Sequence, residues 1–186
     1  DGLLGWSQDW VGTGWSIDTL DIVRTWATLD ANGAMDVSSS SLLLMNGAAY
    51  KLIPAQGVIQ GWVGRYYAED APQLYIEMLT LNPTGELRSS WIVRTPDGTT
   101  YRLGTTADAS QYVGNYYSAT NAIYRWRLAE AEDVHGNKMK FSYYEQRSCG
   151  RDAISLPSTI RYNNYGTNSW ASELTFVRST VYPPVN

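Results

Sequence analysis

The chain has 186 residues, of which 44% are hydrophobic and 17% charged, and its formal net charge is -4. This length suits one domain with a sizeable core, and this composition excludes a disordered chain. The acidic balance argues against general binding to nucleic-acid backbones, which needs a basic surface. We expect a single domain over residues 1–186, cut from a larger polypeptide or processed, because the chain starts at Asp1 without an initiator Met.

The cysteine and aromatic content of the chain give further indications of the class of protein. The one cysteine, Cys149, cannot form an internal disulfide. No stretch approaches the roughly 18 apolar residues of a membrane span, so we expect none. The chain has eight Trp and 14 Tyr against two Phe. These residues suit half-buried sheet faces, and equally sugar-binding or protein-binding surfaces.

The first part of the chain is predicted to be strands separated by tight turns. Residues 1–14 form a loop with short strand pieces. Residues 15–28 form a strand, because β-branched residues and flanking glycines outweigh a brief helical spacing. A turn is predicted at residues 30–33, DANG, since Asn and Gly both tolerate positive φ. A second Asn-Gly, at residues 46–47, predicts a hairpin over Leu42–Ile53.

The middle of the chain continues the same pattern. Leu74–Leu81 has apolar residues on both faces, which favours an interior strand. The Pro-x-Gly sequence within Asn82–Leu87 predicts a turn. Trp91–Thr95 and Thr99–Leu103 flank a Pro-Asp-Gly turn and form another hairpin. Residues 104–121 lack periodicity and are predicted to be a long surface loop, a kind of segment that often carries function.

The most regular stretch is Tyr124–Tyr144, in which aromatic and aliphatic residues alternate with Arg, Lys and Ser around a turn. Side chains in a strand point to opposite faces with period two. The pattern therefore predicts a hairpin with an apolar face that is buried and a basic face in water. The basic side chains are Arg125, Arg127, Lys138 and Lys140. Two strands bury too little to be stable alone, so this hairpin must lie on further strands.

The last part is predicted to contain a polar connection at Gln146–Asp152, a strand at Thr159–Tyr162, a turn at Asn163–Ser169 and a final strand at Glu173–Tyr182. About ten short strands with turns roughly every 8 to 12 residues predict an all-β fold. We expect antiparallel hairpins arranged in a twisted meander, a sandwich or a partial barrel.

Few residues suit catalysis. A Ser-His-Asp triad would have to use the sole histidine, His135, which makes it a catalytic candidate. It lies in a predicted turn, where an exposed loop residue is the simpler interpretation. One His and one Cys nearly exclude zinc, and no calcium-loop or phosphate-loop pattern occurs, so no metal and no cofactor are expected. A glycosidase would need only two carboxylates across a sugar-binding cleft. Glu77, Glu130, Glu132 and Asp133 are the candidates for that pair.

Five aromatic residues are candidates for a binding surface, because they lie in Gly-rich or loop segments and not on an obvious core face. They are Trp62, Tyr66, Tyr67, Tyr116 and Tyr117. Two hypotheses therefore remain for this surface: a carbohydrate-binding module whose ligand is a polysaccharide, and a structural role.

Four motifs in order resemble one known family. They are Gly12, Gly14, Trp15, Ser16, Ile22 and Arg24; Trp91, Val93, Asp97, Gly98, Tyr101 and Gly104; Trp126, Leu128, Asp133, Gly136, Asn137 and Tyr143; and Leu156, Pro157, Ile160 and Tyr162. This set is similar to the Rhs/YD-repeat proteins, in particular to the SpvB-like amino-terminal region of the insecticidal toxin complex B component.

The resemblance implies a structural role. Members of that family stack hairpins into a curled sheet that encloses a toxin cargo, in secreted or surface-exposed polypeptides. For this chain it implies a non-catalytic module, with other parts of a larger Rhs-like shell or a protein partner as its contacts. The chain carries one Gly-Asn…Tyr-Tyr unit in place of a tandem array and lacks the carboxy-terminal portion that closes the family's shell.

Overall fold

The computed structural model describes residues 20–25, 41–80, 89–112, 123–148, 151–164 and 169–177. The predicted turns at residues 30–33 and 82–87, and the candidates Tyr116 and Tyr117, lie outside these ranges. The described part contains the strands β1 Asp21–Arg24, β2 Ser41–Met45, β3 Ala48–Pro54, β4 Gly64–Ala68, β5 Tyr75–Thr80, β6 Ser89–Arg94, β7 Thr100–Leu103, β8 Ser110–Tyr112, β9 Ile123–Glu132, β10 Lys138–Ser148, β11 Arg151–Asn164 and β12 Trp170–Thr175, and a 3-10 turn at Ala107–Ala109.

The strands form an antiparallel meander that closes on itself. Strands β1 to β7 pair in chain order, β7 pairs with β9, and β9 pairs with β1. These eight strands make a barrel, and β10, β11 and β12 form a three-stranded extension. The remaining strand, β8, pairs with the start of β9. The all-β antiparallel prediction is confirmed.

The predicted hairpins are confirmed, and turn chemistry explains them. Asn46 and Gly47 adopt φ values of 52° and 73° between β2 and β3, as an Asn-Gly turn requires. Between β6 and β7 the Pro-Asp-Gly turn places Gly98 at φ 86°. In the predicted hairpin Tyr124–Tyr144, the two arms pair only beside the turn, from the pair Glu132 and Lys138 to the pair Glu130 and Lys140.

The barrel core is built around three aromatic rings. Tyr66, Trp91 and Trp126 are fully buried and pack edge to face, with centroid distances of 4.9 and 5.7 Å. The Trp126 indole donates a 2.8 Å hydrogen bond to the Ser89 carbonyl. Gly104 adopts φ 67°, and a Cβ there would lie 2.4 Å from Trp126 Cδ1. Glycine is needed here both for its backbone conformation and for the close approach of the indole.

A bulge in strand β9 changes which of its alternating side chains point out of the barrel. Arg102 pairs with Glu130 but the next residue, Leu103, pairs with Leu128, so Ala129 is the extra residue. Trp126 and Leu128 are buried, whereas Glu130 and Glu132, two and four residues further on, take part in an outer ion-pair network. Without the bulge, the period of two would turn these carboxylates toward the core.

A second core joins the extension to the barrel. Beyond Lys140, β10 leaves the edge of β9 and packs across it, so that Phe141 and Tyr143 bury against Leu128 and Ala129. The Tyr143 hydroxyl donates a 2.7 Å hydrogen bond to the Leu128 carbonyl. The second core therefore holds β10 and β11 on the outside of the barrel.

This packing corrects the prediction that the hairpin holds its arginines in water. Arg127 is buried, and its guanidinium donates hydrogen bonds of 2.8 and 2.9 Å to the carbonyl and hydroxyl oxygens of Ser155. It also stacks over the Tyr143 ring at 4.8 Å. Arg125 is bound by the buried carboxylate of Asp21. The prediction is wrong because the extension covers this face of β9.

Three boundary predictions are also wrong. Residues 107–112 form a 3-10 turn and a strand in place of surface loop, because Ala109 packs into the second core and the Asp108 carboxylate accepts the Tyr143 N–H at 2.8 Å. The polar stretch Gln146–Asp152 carries the ends of two paired strands, since Ser148 pairs with Arg151. The last strand of the described residues is Trp170–Thr175, which begins three residues before the predicted Glu173. Residues 178–182 of that prediction lie outside the described ranges.

Candidate interaction surface

One row of cross-strand neighbours runs from the barrel core onto the extension. We call it the inner row, and its members are Tyr66, Ile76, Val93, Tyr101, Ala131, Met139, Tyr162 and Ser172. Because neighbours in register point to the same face of a sheet, the face that forms the barrel core continues without interruption onto β10, β11 and β12.

The cover of this face decreases along the row. Tyr66, Ile76 and Val93 are fully buried, whereas the side chains of Met139 and Tyr162 are 39% and 37% exposed. We call the incompletely covered part the extension face. It consists of Met139, Tyr162 and Leu174, which are exposed, and Ile160, which is partly buried against the second core. Ile160 pairs with Leu174, which is 49% exposed. The extension thus presents apolar side chains on the face that lies inward in the barrel.

Barrel closure explains why the face is uncovered. Residues Asp21–Val23 of β1 pair with residues 125–127 of β9. Strand β10 pairs with β9 only at residues 130–132. The sheet therefore forks at β9, and only the branch through β1 closes into a barrel. Near the fork Phe141 is still covered by Leu128 and Ala129. Further out, the apolar side chains lose that cover.

The opposite face of the same strands carries charges. Its row, which we call the outer row, is Arg65, Glu77, Ile92, Arg102, Glu130, Lys140, Arg161 and Glu173. Arg102 donates hydrogen bonds to Glu130 at 3.0 Å and Glu132 at 2.9 Å, and Arg161 forms an ion pair with Glu173. The hydrogen bond from Arg102 lowers the pKa of Glu132.

The aromatic binding candidates do not share one surface. Tyr66 is fully buried in the barrel core, so the premise that it lies off the core face is wrong. Its hydroxyl donates a 2.8 Å hydrogen bond to the carbonyl of Trp62. Trp62 and Tyr67 are 58% and 48% exposed. Tyr67 lies on the outer face of β4, with the Arg65 guanidinium 5.5 Å from its ring centroid.

The catalytic candidates are only partly brought together: the same Arg102 nitrogen binds Glu130 at 3.0 Å and Glu132 at 2.9 Å, whereas Glu77 lies apart from both. Glu77 on β5 and Glu130 on β9 are separated by β6 and β7, which places them about 14 Å apart. Paired carboxylates of glycosidases lie about 5 to 9.5 Å apart. Glu132 lies two residues along β9 from Glu130, and Arg102 and Lys138 contact both carboxylates. Glu77 accepts a 2.7 Å hydrogen bond from the Tyr75 hydroxyl.

The remaining two candidates belong to the turn between β9 and β10. One carboxylate oxygen of Asp133 accepts the backbone N–H groups of His135 and Asn137 at 2.8 and 2.9 Å, and the other accepts the Asn137 side-chain amide at 2.7 Å. The hydrogen bond from the Asn137 side chain is the main reason that the pKa of Asp133 is lowered. Asp133 therefore shapes the turn, and His135 is exposed at its tip.

Sequence reasoning missed the extension face as a surface. The alternation of Met139, Phe141 and Tyr143 predicted one buried face on this arm, but it gave no indication that burial ends between Phe141 and Met139. The apolar residues Ile160, Tyr162 and Leu174 were the available signal, since each occupies the same face of its strand.

Two further observations concern metals and membranes. Within the described ranges, no group of three or more His, Cys, Asp or Glu side chains is arranged to hold a metal ion. In the same residues, no helix has the length and apolar character needed to cross a membrane.

No protein-family model and no curated protein matches the chain. Solved structures with the same fold do exist. The Tc holotoxin pore of Photorhabdus luminescens has a TM-score of 0.59 at 19% identity over 81% of this chain, and the TcdB2-TccC3 structure has a TM-score of 0.58 at 19% identity over 80%. The N-terminal domain of the effector protein SpvB from Salmonella typhimurium has a TM-score of 0.59 at 17% identity over 88%.

These similarities confirm, at the level of the fold, the resemblance that the sequence motifs indicated. The chain spans 8% of each of the two Tc chains and 56% of the SpvB chain. Its fold therefore corresponds to a small part of the Tc chains and to about half of the SpvB structure.

Proposed function

We propose that this chain is a non-catalytic structural module of a larger, toxin-complex-like polypeptide, and that another part of that polypeptide or a protein partner covers its extension face. The observation that carries the proposal is the inner row, whose apolar side chains are buried in the barrel and exposed on β10 and β11, with Leu174 exposed on the same face of β12. Fully burying one such side chain is worth roughly 1.5–3 kcal/mol. A covering partner would therefore gain free energy at every position of the face.

The shared fold supports the same proposal. The two Tc chains are far longer than this chain, so the segment with this fold is one module among others in them. We extend the proposal to a secreted or cell-surface location, because the similar structures are named as toxin and effector components. A nucleic-acid partner is not proposed, since the net charge is -4 and outer-row arginines such as Arg102 and Arg161 are paired with carboxylates.

Site-specific photocrosslinking tests the covered face. A photoreactive benzophenone residue replaces Leu174 on the extension face, or Glu173 on the opposite face, in the natural polypeptide that carries this chain. We expect crosslinks to another segment or to a protein partner from position 174, and few from position 173, because adjacent residues of a strand point to opposite faces. Equal crosslinking at both positions, or none at either, would contradict the proposal.

The glycan-active alternative has its own test. The purified chain is incubated with soluble and insoluble polysaccharides, and both binding and reducing-sugar release are measured. The structural proposal expects neither. Polysaccharide binding that is lost in Trp62→Ala, or sugar release that is lost in Glu77→Gln or Glu132→Gln, would replace the structural module with a glycan-active protein.

A further inference from the structure

The loop between β3 and β4 presents three large apolar side chains to solvent. Ile59, Trp62 and Val63 are 65%, 58% and 51% exposed, and we call them the apolar tip. They lie at the end of a hairpin, apart from the extension face. We propose that the apolar tip docks this chain on a lipid membrane surface by inserting into the headgroup region.

Two backbone N–H groups of the loop are hydrogen-bonded within it. The Val58 N–H donates to the Ala55 carbonyl at 2.9 Å, and the Trp62 N–H donates to the Ile59 carbonyl at 3.0 Å. The carbonyl of Trp62 in turn accepts the Tyr66 hydroxyl at 2.8 Å. Unsatisfied backbone groups are costly in an apolar medium, so internal hydrogen bonds lower the cost of inserting this turn.

Charge increases along the hairpin with distance from the tip, and the polar side chains of the loop, Gln56 and Gln60, are uncharged. Arg65 is the one ionisable residue among Arg, Lys, Asp, Glu and His between residues 52 and 68. Its guanidinium lies against β5, where it donates to the Ile76 carbonyl at 3.0 Å and stacks over the Tyr75 ring at 3.7 Å. Charged side chains return at Lys51 and Glu69, at the far end of the hairpin.

Tyr67 lies between the tip and these charges. Its side chain is 48% exposed and pairs across the strands with Ile53, which is 42% exposed. An apolar end followed by an amphipathic aromatic residue and then by charges is the order of side chains found at membrane–water interfaces. An uncharged loop costs less to bring into the membrane interface than one that carries charges. The observations therefore favour a lipid surface over a protein partner for this loop.

Vesicle co-sedimentation tests the proposal. The chain is mixed with large unilamellar vesicles of phosphatidylcholine at physiological and at high salt. We expect the chain to sediment with the vesicles at both salt concentrations, because the contact is apolar and the net charge is -4. Trp62→Ala is expected to lower the partition coefficient about tenfold. The double variant Ile59→Ser, Val63→Ser keeps all eight Trp residues and should lose binding as well.

A matched control and a depth measurement complete the test. Val177→Ser removes an exposed apolar side chain outside the tip and should leave the partition coefficient unchanged. Phosphatidylcholine brominated on its acyl chains should quench the tryptophan fluorescence of the wild type, and Trp62→Phe should abolish most of that quenching while it preserves binding. No sedimentation, sedimentation that the tip variants do not reduce, or binding only to anionic vesicles at low salt would overturn the proposal.

Discussion

Tyr66 and Trp62 are joined by a 2.8 Å hydrogen bond from the phenol of the first to the carbonyl of the second. A fully buried side chain of the barrel core thus fixes the path of a loop whose own tryptophan is largely exposed. The Ile59 carbonyl lies 3.3 Å from the same hydroxyl and shares its proton. Burial is the main reason that the pKa of Tyr66 is raised, so the phenol remains a donor throughout the neutral range.

Removing this hydroxyl tests its role. Tyr66→Phe keeps the ring that packs on Trp91 but leaves the carbonyls of Ile59 and Trp62 without their donor. We expect the free energy of unfolding to fall by about 1–2 kcal/mol, as measured by urea denaturation, with faster amide exchange across residues 58–63. Tyr67→Phe is the control, because that ring lies on the outer face and should change stability by less than about 0.5 kcal/mol. Equal effects of the two variants would contradict the assignment.

The Gly104–Trp126 contact gives a second prediction. Gly104→Ala adds the strain of a positive φ and places a methyl group 2.4 Å from a buried indole that is held by the Ser89 carbonyl. We expect a loss of about 3 kcal/mol or more in thermal or urea unfolding. Gly47→Ala is the matched control, since Gly47 has φ 73° and open space around it. That variant should lose only about 1 kcal/mol from backbone strain. Similar losses in Gly104→Ala and Gly47→Ala would show that the contact with Trp126 adds nothing to the cost.

Turn chemistry made much of this fold predictable from sequence. Asn46-Gly47 and Pro96-Asp97-Gly98 each require a positive φ that few other residues adopt, and both hairpins occur where those pairs predict them. The alternation of Trp126 and Leu128 also identified the buried side of β9. Local signals of this kind act within a few residues, so they can be read without knowing the rest of the molecule.

Closure and bulges could not be predicted in that way. The pairing of Ile22 with Trp126 that closes the barrel joins strands about a hundred residues apart, and no local pattern encodes it. The bulge at Ala129 reverses which residues of β9 face outward. The adjacent apolar residues Leu128 and Ala129 mark this change of phase in the sequence, but they do not show that it is a bulge paired against Arg102 and Leu103. Arg127 illustrates the consequence, because a basic residue on a predicted solvent face is covered by a sheet that the pattern could not place.

The buried guanidinium of Arg127 should contribute more to stability than an exposed one. Arg127→Met removes its hydrogen bonds to Ser155 and its stacking on Tyr143. Burial lowers the pKa of Arg127, so these contacts must also offset the desolvation of its charge. We expect a loss of about 2–3 kcal/mol in urea unfolding. Arg161→Met, which removes an exposed pair with Glu173, serves as the control and should lose less than about 1 kcal/mol. A larger effect at Arg161 would show that the second core does not depend on Arg127.

Acid should weaken the outer ion-pair network through Glu132. Its pKa is lowered in the folded state, mainly by the hydrogen bond from Arg102. The stability that this carboxylate contributes is therefore present above its unfolded pKa of about 4.3 and is lost as the pH falls through the lower folded value. We expect Glu132→Gln to reduce the loss of unfolding free energy between pH 5 and pH 3 by up to about 1 kcal/mol.

Arg102→Gln provides the reciprocal measurement for that network. It should reduce the acid-dependent loss by a similar amount, and the double variant should reduce it no further, because both substitutions remove the same hydrogen bond. Urea titrations at half-unit pH intervals would measure these slopes. An unchanged slope in Glu132→Gln, or full additivity in the double variant, would contradict the coupling.

The edge of the covered region between Phe141 and Met139 can be measured directly. Both side chains lie on the same face of β10, but Phe141 packs into the second core and Met139 is 39% exposed. Phe141→Ala should therefore lower the free energy of unfolding by about 3 kcal/mol, and Met139→Ala by less than about 1 kcal/mol. Urea denaturation of both variants, with Lys140→Ala between them as a control for the strand itself, gives the comparison. Equal losses at Met139 and Phe141 would mean that the chain covers its own extension face, and the reason to expect a covering partner would then disappear.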